Sequence, residues 1–596
     1  MREYSTPLTA EPPSSGNLTD DVVTNGAEFP DHVAFSRKAG SEWVEVTSAE
    51  FLLEVRSVAK GLLAAGIAAG DRVALIAKTR YEWTLLDYAI WFAGAATVPI
   101  YETSSSEQIE WILSDSGSCA VIAESADHMS RVEMERAGLT NLTQLWSFDD
   151  DAVGVLKSLG AEVTDDELER RRTSVTSDSL ATLIYTSGTT GVPKGCALTH
   201  GNFMFELGVA VEELHALFDR ENASTLLVLP LAHVFARIVQ VGAVRARVRL
   251  GHTPDIKNLL EDLEAFKPTF ILGVPRVFEK VFNTVSQTAA ADGKGRTFNR
   301  AANVAIAYSR ALDTGKPGLA LRAKHAALDR LVYAKLRVAL GGRCEYAVSG
   351  GAPLGERLGH FYRGIGLVVL EGYGLTETTA ALTVNLPTTS KVGTVGRPLP
   401  GTSVRVADDG ELLARGGQVF SGYWNADEAT ATAFTADGWF RTGDLGEIDD
   451  EGFVRITGRT KEIIVTAGGK NVAPSVLEDL VRAHPLISQC MVVGDGQPFI
   501  AALVTIDPET ITFWADQQEK TRSIEDLAVD PDLLAEVEKV IGEANRSVSK
   551  AEAIRKFAVL PVDWTEGNGL LTPSLKLKRD LVMREFRDDI EALYAQ

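Results

Sequence analysis

Apolar and polar positions along this chain switch repeatedly between two periods. Over 49–65 (AEFLLEVRSVAKGLLAA) the apolar residues recur every three or four positions, which predicts a helix. DRVALIA at 71–77 is a short unbroken apolar run and predicts a buried strand. A second helix is expected over 81–93, followed by strand-like ATVPIY. Further short strands are expected at SCAVIAE, ATLIYTS, STLLVLP and PTFILGV, each near a helical stretch. Strands alternating with helices predict an α/β architecture with largely parallel, helix-covered sheets. In such sheets ligands bind on loops beyond the carboxyl ends of the strands. The nearly uncharged stretch from Tyr88 to Ile100 is shorter than the roughly 20 residues that span a bilayer. It reads as a buried helix running into a turn at Pro99.

After residue 391 the pattern becomes short strands and tight turns. Asp409-Gly410 and Glu451-Gly452 predict antiparallel hairpins within a β-rich subdomain over 391–457. Beyond Lys461 the mix is α+β, with helical SVLEDLVRAH, strand-like QCMVVGD and FIAALVT, and helices around 531–547 and 580–594. A domain boundary is therefore expected near Thr457–Lys461. At the other end, residues 1–20 are rich in Ser, Thr and Pro from residue 5 onward and read as a flexible arm.

Composition narrows the function. The 596 residues carry 59 basic and 81 acidic side chains, a formal charge of −22, which disfavours binding to nucleic acid. Hydrophobic residues at 45% and charged residues at 23% are those of a folded globular protein. The four cysteines are far apart and form no C-x-x-C, so reduced structural thiols in a cytoplasmic protein are expected. The first 20 residues lack the apolar core of a secretory signal.

The most informative segment runs Tyr185-Thr186-Ser187-Gly188-Thr189-Thr190-Gly191-Val192-Pro193-Lys194-Gly195, directly after a predicted strand. Its three glycines allow close backbone approach to an anion, five hydroxyl side chains supply donors, and Lys194 adds charge. Such a loop suits a triphosphate, although no Walker A pattern is present. The segment resembles the phosphate-binding signature of the adenylate-forming enzymes, the superfamily of acyl-CoA synthetases, firefly luciferases and peptide-synthetase adenylation domains. Further resemblances follow in the family's order: Glu371-Gly372-Tyr373-Gly374-Leu375-Thr376-Glu377-Thr378, Phe440-Arg441-Thr442-Gly443-Asp444, Gly458-Arg459-Thr460-Lys461-Glu462 and Leu571-Thr572-Pro573-Ser574-Leu575-Lys576-Leu577-Lys578-Arg579. The forms TAGGKNVAP and LTPSLKLKR look most like long-chain fatty-acid–CoA ligases.

The resemblance implies a large N-terminal domain over 21–457, a hinge at 458–461 and a small mobile C-terminal domain over 462–596. It also implies ATP and Mg²⁺ as cofactors, CoA as co-substrate and a long-chain fatty acid as the other partner. Nucleotide contacts are expected from Thr186–Gly191 and Lys194. Gly350, Gly351, Ala352 and Pro353 are expected along the adenine edge, with Glu371, Gly372, Tyr373 and Gly374 also in contact with the nucleotide and Thr376 donating to the α-phosphate. Asp444 is expected at the ribose, Arg459 at ribose or phosphate oxygens, Glu377 at the metal, and Lys576 at the carboxylate and α-phosphate oxygens. Lys578 is the alternative to Lys576, because Leu575 replaces the family's usual glycine. His233, in LPLAHVFAR, resembles a histidine near the acyl carboxylate. Thr186, Lys194, His233 and Lys576 are the catalytic candidates.

Arg245, Arg247 and Arg249 alternate in VRARVRL, which would place them on one strand face. That face reads either as a solvated edge or as a contact for anionic lipid at a membrane periphery, or for CoA phosphates. Two other functions stay open: a fatty acyl-AMP ligase that serves a carrier protein, and a non-catalytic acyl or nucleotide sensor. Against the first, only residues 379–392 separate Thr378 from Gly393, where that branch usually carries an extra segment. Against the second, Lys576, Glu377 and Thr186–Gly191 are all present.

Overall fold

The computed structural model describes residues 1–9, 13, 15–40, 42–186, 192–254, 258–518, 520, 523–572 and 575–595. Its first large sheet has six strands in the order Gln144–Ser147, Ala120–Ala123, Arg72–Ile76, Ala96–Ile100, Leu180–Thr186, Lys194–Thr199. All neighbours are parallel except the last pair, a hairpin. The four inner runs are almost wholly apolar because helices cover the sheet; helix Tyr81–Phe92 is buried along nearly its whole length. A second sheet orders Phe270–Gly273, Tyr346–Ser349, Val368–Leu375, Ala380–Val384 and Arg397–Pro398, parallel over the first three strands and antiparallel after that. A four-stranded sheet joins Ser224–Leu227 and Arg249–His252 to the hairpin Val33–Ala39/Glu42–Thr47.

The β-rich region is a five-stranded antiparallel sheet of Glu3–Ser5, Ser403–Val406, Glu411–Arg415, Phe440–Ile448 and Val454–Arg459. Both predicted hairpins form there. After Arg459 comes a single turn, Thr460–Glu462, and then a three-stranded sheet, Ile487–Val493, Ile500–Ile506 and Ile554–Leu560, with its own apolar core. The C-terminal part rests on the large one through the Arg357 guanidinium donating to Ala483 O (2.7 Å) and the Gln287 amide donating to Thr510 Oγ1 (2.6 Å).

Three expectations change. The described residues of the first 20 are not a loose arm. Glu3–Ser5 closes the edge of the β-rich sheet against Ser403–Val406, and Asn17, Leu18 and Thr19 are buried. A three-residue edge strand is too short for an alternation signal, and pairing of that edge satisfies backbone groups left open by the sheet. Pro99 is not at a turn. The helix stops at Phe92, the chain turns at Gly94 (φ 79°), and Pro99 sits within strand Ala96–Ile100. The ladder to the neighbour Leu180–Thr186 registers only at Thr97, so it ends before the proline that lacks an N–H. Finally, Arg245 ends helix Val234–Arg245, Arg247 lies in a left-handed turn (φ 52°), and Arg249 begins a strand. Their guanidiniums part company: Arg245 pairs with Asp21, Arg247 covers the Phe29 ring, and Arg249 covers Phe266. They form no common face.

All four cysteines are free, three of them buried. Among the described residues no helix is long and apolar enough to cross a membrane.

Candidate active site

The sheets and the C-terminal part enclose a cavity of about 980 Å³. One end is polar. The hairpin Leu180–Thr186/Lys194–Thr199 sets Thr186 directly opposite Lys194, so both ends of the glycine-rich segment reach the wall. Ser187, Gly188, Thr189, Thr190 and Gly191 lie outside the described residues.

Strand Val368–Leu375 runs into this end and carries Gly372, Tyr373 and Gly374 to the wall, followed by the single turn Thr376–Thr378. The strand folds back so tightly at a bulge that a Cβ at Gly374 would meet Ala380 O at 1.4 Å, which only glycine avoids. The turn is held by the Leu375 N–H donating to Thr378 Oγ1 (2.9 Å), and it presents Thr376 and Glu377 to the cavity.

Tyr423 was not foreseen from the sequence. Its hydroxyl donates to Glu377 Oε1 (2.8 Å), and the Lys194 ammonium lies 5.2 Å from its ring centroid. Gly422–Trp424 is laced to strand Lys194–Thr199 by the Ala197 N–H donating to Gly422 O and the Trp424 N–H donating to Gly195 O. One aromatic ring thus joins the cation of one motif to the carboxylate of another. The only signal in the sequence was a GYW triplet without charge.

Asp444 is buried on strand Phe440–Ile448 and registers with Arg459 on the next strand. Its carboxylate accepts from the Tyr373 hydroxyl at Oδ2 (2.7 Å) and pairs with Arg459 Nε at Oδ1 (3.0 Å). Burial and the Asp444 charge hold the Tyr373 phenol well above its usual pKa, so it remains a donor. Glu411 braces the same turn, accepting from the Gly443 N–H (3.0 Å) and from Arg441 (2.6 Å).

From the C-terminal part, Lys576 and Lys578 both reach the wall. Lys576 is open to the cavity yet enclosed by its walls. Removal from bulk water and the nearby Arg459 charge lower its pKa, while Asp444, Glu377 and Glu462 pull it back up. Its loop is fixed by the Lys576 N–H donating to Thr572 Oγ1 (3.0 Å) and the Thr572 N–H donating to Lys576 O (2.8 Å). Leu575 adopts φ 61°, the backbone that glycine takes freely, so the substitution at this position preserves a left-handed bend. The leucine side chain packs against the core around Leu570, Leu571 and Val582. That packing offsets a backbone cost of about 1–2 kcal/mol.

His233 caps helix Val234–Arg245, its Nδ1 accepting from the Phe235 N–H (3.1 Å). Burial and the Lys576 charge hold its pKa at about 3, so the imidazole is neutral. With Nδ1 an acceptor, the proton belongs on Nε2, which makes the ring a neutral donor.

Gly350 and Gly351 line the cavity, but the structure does not bring Ala352, Pro353 or Glu371 to its wall. Ala352 and Pro353 face outward, after a left-handed bend at Gly351 (φ 82°). Glu371 is buried behind the strip, its Oε2 accepting from the Leu354 N–H (3.1 Å); burial raises its pKa to about 7. It supports the Gly350–Pro353 segment and has no contact with the cavity. The other end of the cavity is an apolar arm walled by Leu207, Val211, Leu214, Ile238, Phe270 and Leu272.

The fold is α/β, and its C-terminal part brings Lys576 and Lys578 to the wall of a cavity that is polar at one end and apolar at the other. Residues 22–424 match the AMP-binding enzyme family and residues 461–596 the AMP-binding enzyme C-terminal domain. Long-chain-fatty-acid–CoA ligase FadD15 of Mycobacterium tuberculosis is 53% identical over 600 residues, covering 100% of both chains; FadD15 of Mycobacterium bovis matches to the same extent. The adenylation domain of a carboxylate reductase from Mycobacterium chelonae shares the fold, with TM-score 0.74, 23% identity and coverage of 97% of this chain and 91% of that one. The chain belongs to the AMP-binding, adenylate-forming enzyme family.

Proposed function

We propose that the protein is an ATP-dependent long-chain fatty-acid–CoA ligase, and that the cavity holds acid and nucleotide together. The observation that carries this reading is the meeting of Lys576, Asp444, Arg459 and Glu377 at the polar end of a cavity whose other end is apolar. In the first half-reaction a carboxylate oxygen attacks the α-phosphorus and pyrophosphate leaves. In the second, the CoA thiolate attacks the acyl carbonyl and AMP leaves. The first step crowds anions together, so preorganised cations and N–H donors dominate its rate.

Each side chain then has a task. Asp444 accepts from the ribose hydroxyls, since a carboxylate has more acceptor sites than the two contacts from Tyr373 and Arg459 use. Thr186, Thr376 and Lys194 face the phosphates. Lys576 neutralises charge between the carboxylate and the α-phosphate, and neutral His233 donates to the acid without adding charge. Glu377 lies at the polar end beside Tyr423, whose ring the Lys194 ammonium covers, and no cluster of three metal-binding side chains exists among the described residues. That donor set fits magnesium, which takes few protein ligands and keeps water and phosphate oxygens. Glu377 would hold it, and the ion would supply charge neutralisation of the phosphates.

With Lys576 in the cavity, the arrangement is the one that forms the adenylate. Thioester formation needs Lys576 withdrawn, and Gly458–Lys461, at the end of strand Val454–Arg459, is the segment that would turn. The test is pyrophosphate release that requires fatty acid, followed by AMP release that requires CoA. Fatty-acid-dependent pyrophosphate without CoA-dependent AMP would favour the carrier-protein ligase, and neither would favour a sensor.

A further inference from the structure

The two ends of the apolar arm can be ordered from strand register alone. In the second sheet Phe270, Tyr346 and Val368 stand in one row, and Gly273, Ser349 and Glu371 in another three residues further on. Tyr373, at the nucleotide end, lies two residues beyond that second row. At about 3.3 Å per residue, Phe270 is therefore about 17 Å below Tyr373 along the strand direction.

The helix on the opposite wall gives the same order independently. Glu206, on helix His200–Glu213, accepts from the Ala381 N–H (3.0 Å), and Ala381 registers with Gly374 at the nucleotide end. Ala210 packs against the cluster of Val209, Val384 and Leu399, and Val384 registers with Gly372. The chain thus descends as residue number rises, and Phe218, in the short helix His215–Phe218, arrives at the level of Phe270. The two rings meet edge to face, centroids 5.5 Å apart at 87°. At the same level Arg220 covers the ring of Tyr346 and pairs with surface-exposed Glu345. Next to the ring pair on this line stand Tyr346 and the Arg220–Glu345 ion pair at the surface.

We infer that the Phe218–Phe270 pair is the end wall of the arm and sets the longest straight acyl chain the enzyme turns over. This rests on the reading of the arm as the fatty-acid site. A chain whose terminal methyl reaches the ring pair fills the arm; each further methylene must displace an aromatic ring from a packed layer. Discrimination by one methylene in such a pocket is about 10-fold or more.

The test is kcat/KM across saturated acids from short to very long, for the full chain and three variants. Phe218→Ala should move the upper limit to longer acids and raise kcat/KM for the first rejected acids about tenfold or more. Phe218→Trp should move the limit the other way. A profile unchanged by both substitutions, with ATP binding intact, would overturn the end-wall assignment. Ala210→Phe narrows the arm in its upper third, four residues below Glu206 on the helix and so about 6 Å down, and separates the two claims. It should abolish activity with long acids and spare short ones. If it leaves long-chain turnover unchanged, the arm itself is not the fatty-acid site.

Discussion

The two ends of the cavity are built on opposite principles. At the polar end, three functional groups are fixed by directional contacts: Asp444 by Tyr373 and Arg459, Glu377 by Tyr423, and His233 by the Phe235 N–H. At the apolar end, the walls are helix faces and strand interiors, held by packing that has no preferred direction. Glu377 sits on a single turn, His233 at a helix cap and Asp444 within a strand, whereas Leu207 and Val211 lie on one helix and Phe270 and Leu272 on one strand. The lesson is one of tolerance. A hydrogen bond weakens steeply over a few tenths of an ångström and a few tens of degrees, so single atoms at the polar end should be decisive. An apolar wall responds to volume, so its effects should appear as changes in which substrate fits.

The largest expected effect breaks the polar end at the metal. Glu377→Ala should lower magnesium-ATP turnover about 10³-fold, as loss of one preorganised electrostatic contact does elsewhere. Pyrophosphate release measured across magnesium concentrations checks this, and a normal rate would remove Glu377 from the metal site. Next comes Glu371, whose buried carboxyl supports the Gly350–Pro353 segment from behind. Its folded pKa near 7 exceeds the unfolded value, so the native state binds its proton more tightly. Stability from this group is then full at low pH and falls as pH rises through about 4.5 to 7, by at most about 3 kcal/mol. Urea unfolding at several pH values should show the fall flattened in Glu371→Gln. An equal fall in the variant would contradict the assignment.

The smallest of these effects sharpens the comparison. Tyr423→Phe keeps the ring under the Lys194 ammonium and removes only the hydroxyl donated to Glu377. A hydrogen bond to a charged group contributes about 1.5–3 kcal/mol, so affinity for magnesium-nucleotide should weaken roughly tenfold or more. Calorimetry with magnesium-ATP and with metal-free ATP should show the loss mainly in the former. In the arm, by contrast, the change expected of Phe218→Ala is a shifted chain-length limit.

That contrast also explains what could be read from residue order alone. The polar end was legible because its chemistry is carried by charged and hydroxyl residues clustered in short contiguous segments, such as Thr186–Lys194 and Glu371–Thr378. The α/β alternation was legible because helical and strand periods differ. Glu371 misled, because membership of a contiguous motif does not say which way a side chain points along a strand of period two. Ala352 and Pro353 misled for a similar reason, beyond the bend at Gly351. Tyr423 and the arm were invisible. Their residues are ordinary aromatic and aliphatic ones, brought together from segments far apart in the chain, as Tyr423 is with Lys194. The Arg245–Arg249 alternation failed because a helix ends inside it.

The most direct test of the account is to separate the two half-reactions in Lys576→Ala. Rapid-quench measurement should find adenylate formation from acid and ATP suppressed about 10²-fold or more. Thioester formation from supplied acyl-adenylate and CoA should continue near the unmodified rate. Equal loss of both steps, or unimpaired adenylate formation, would contradict a site in which Lys576 faces Asp444 and Glu377 for the first step alone.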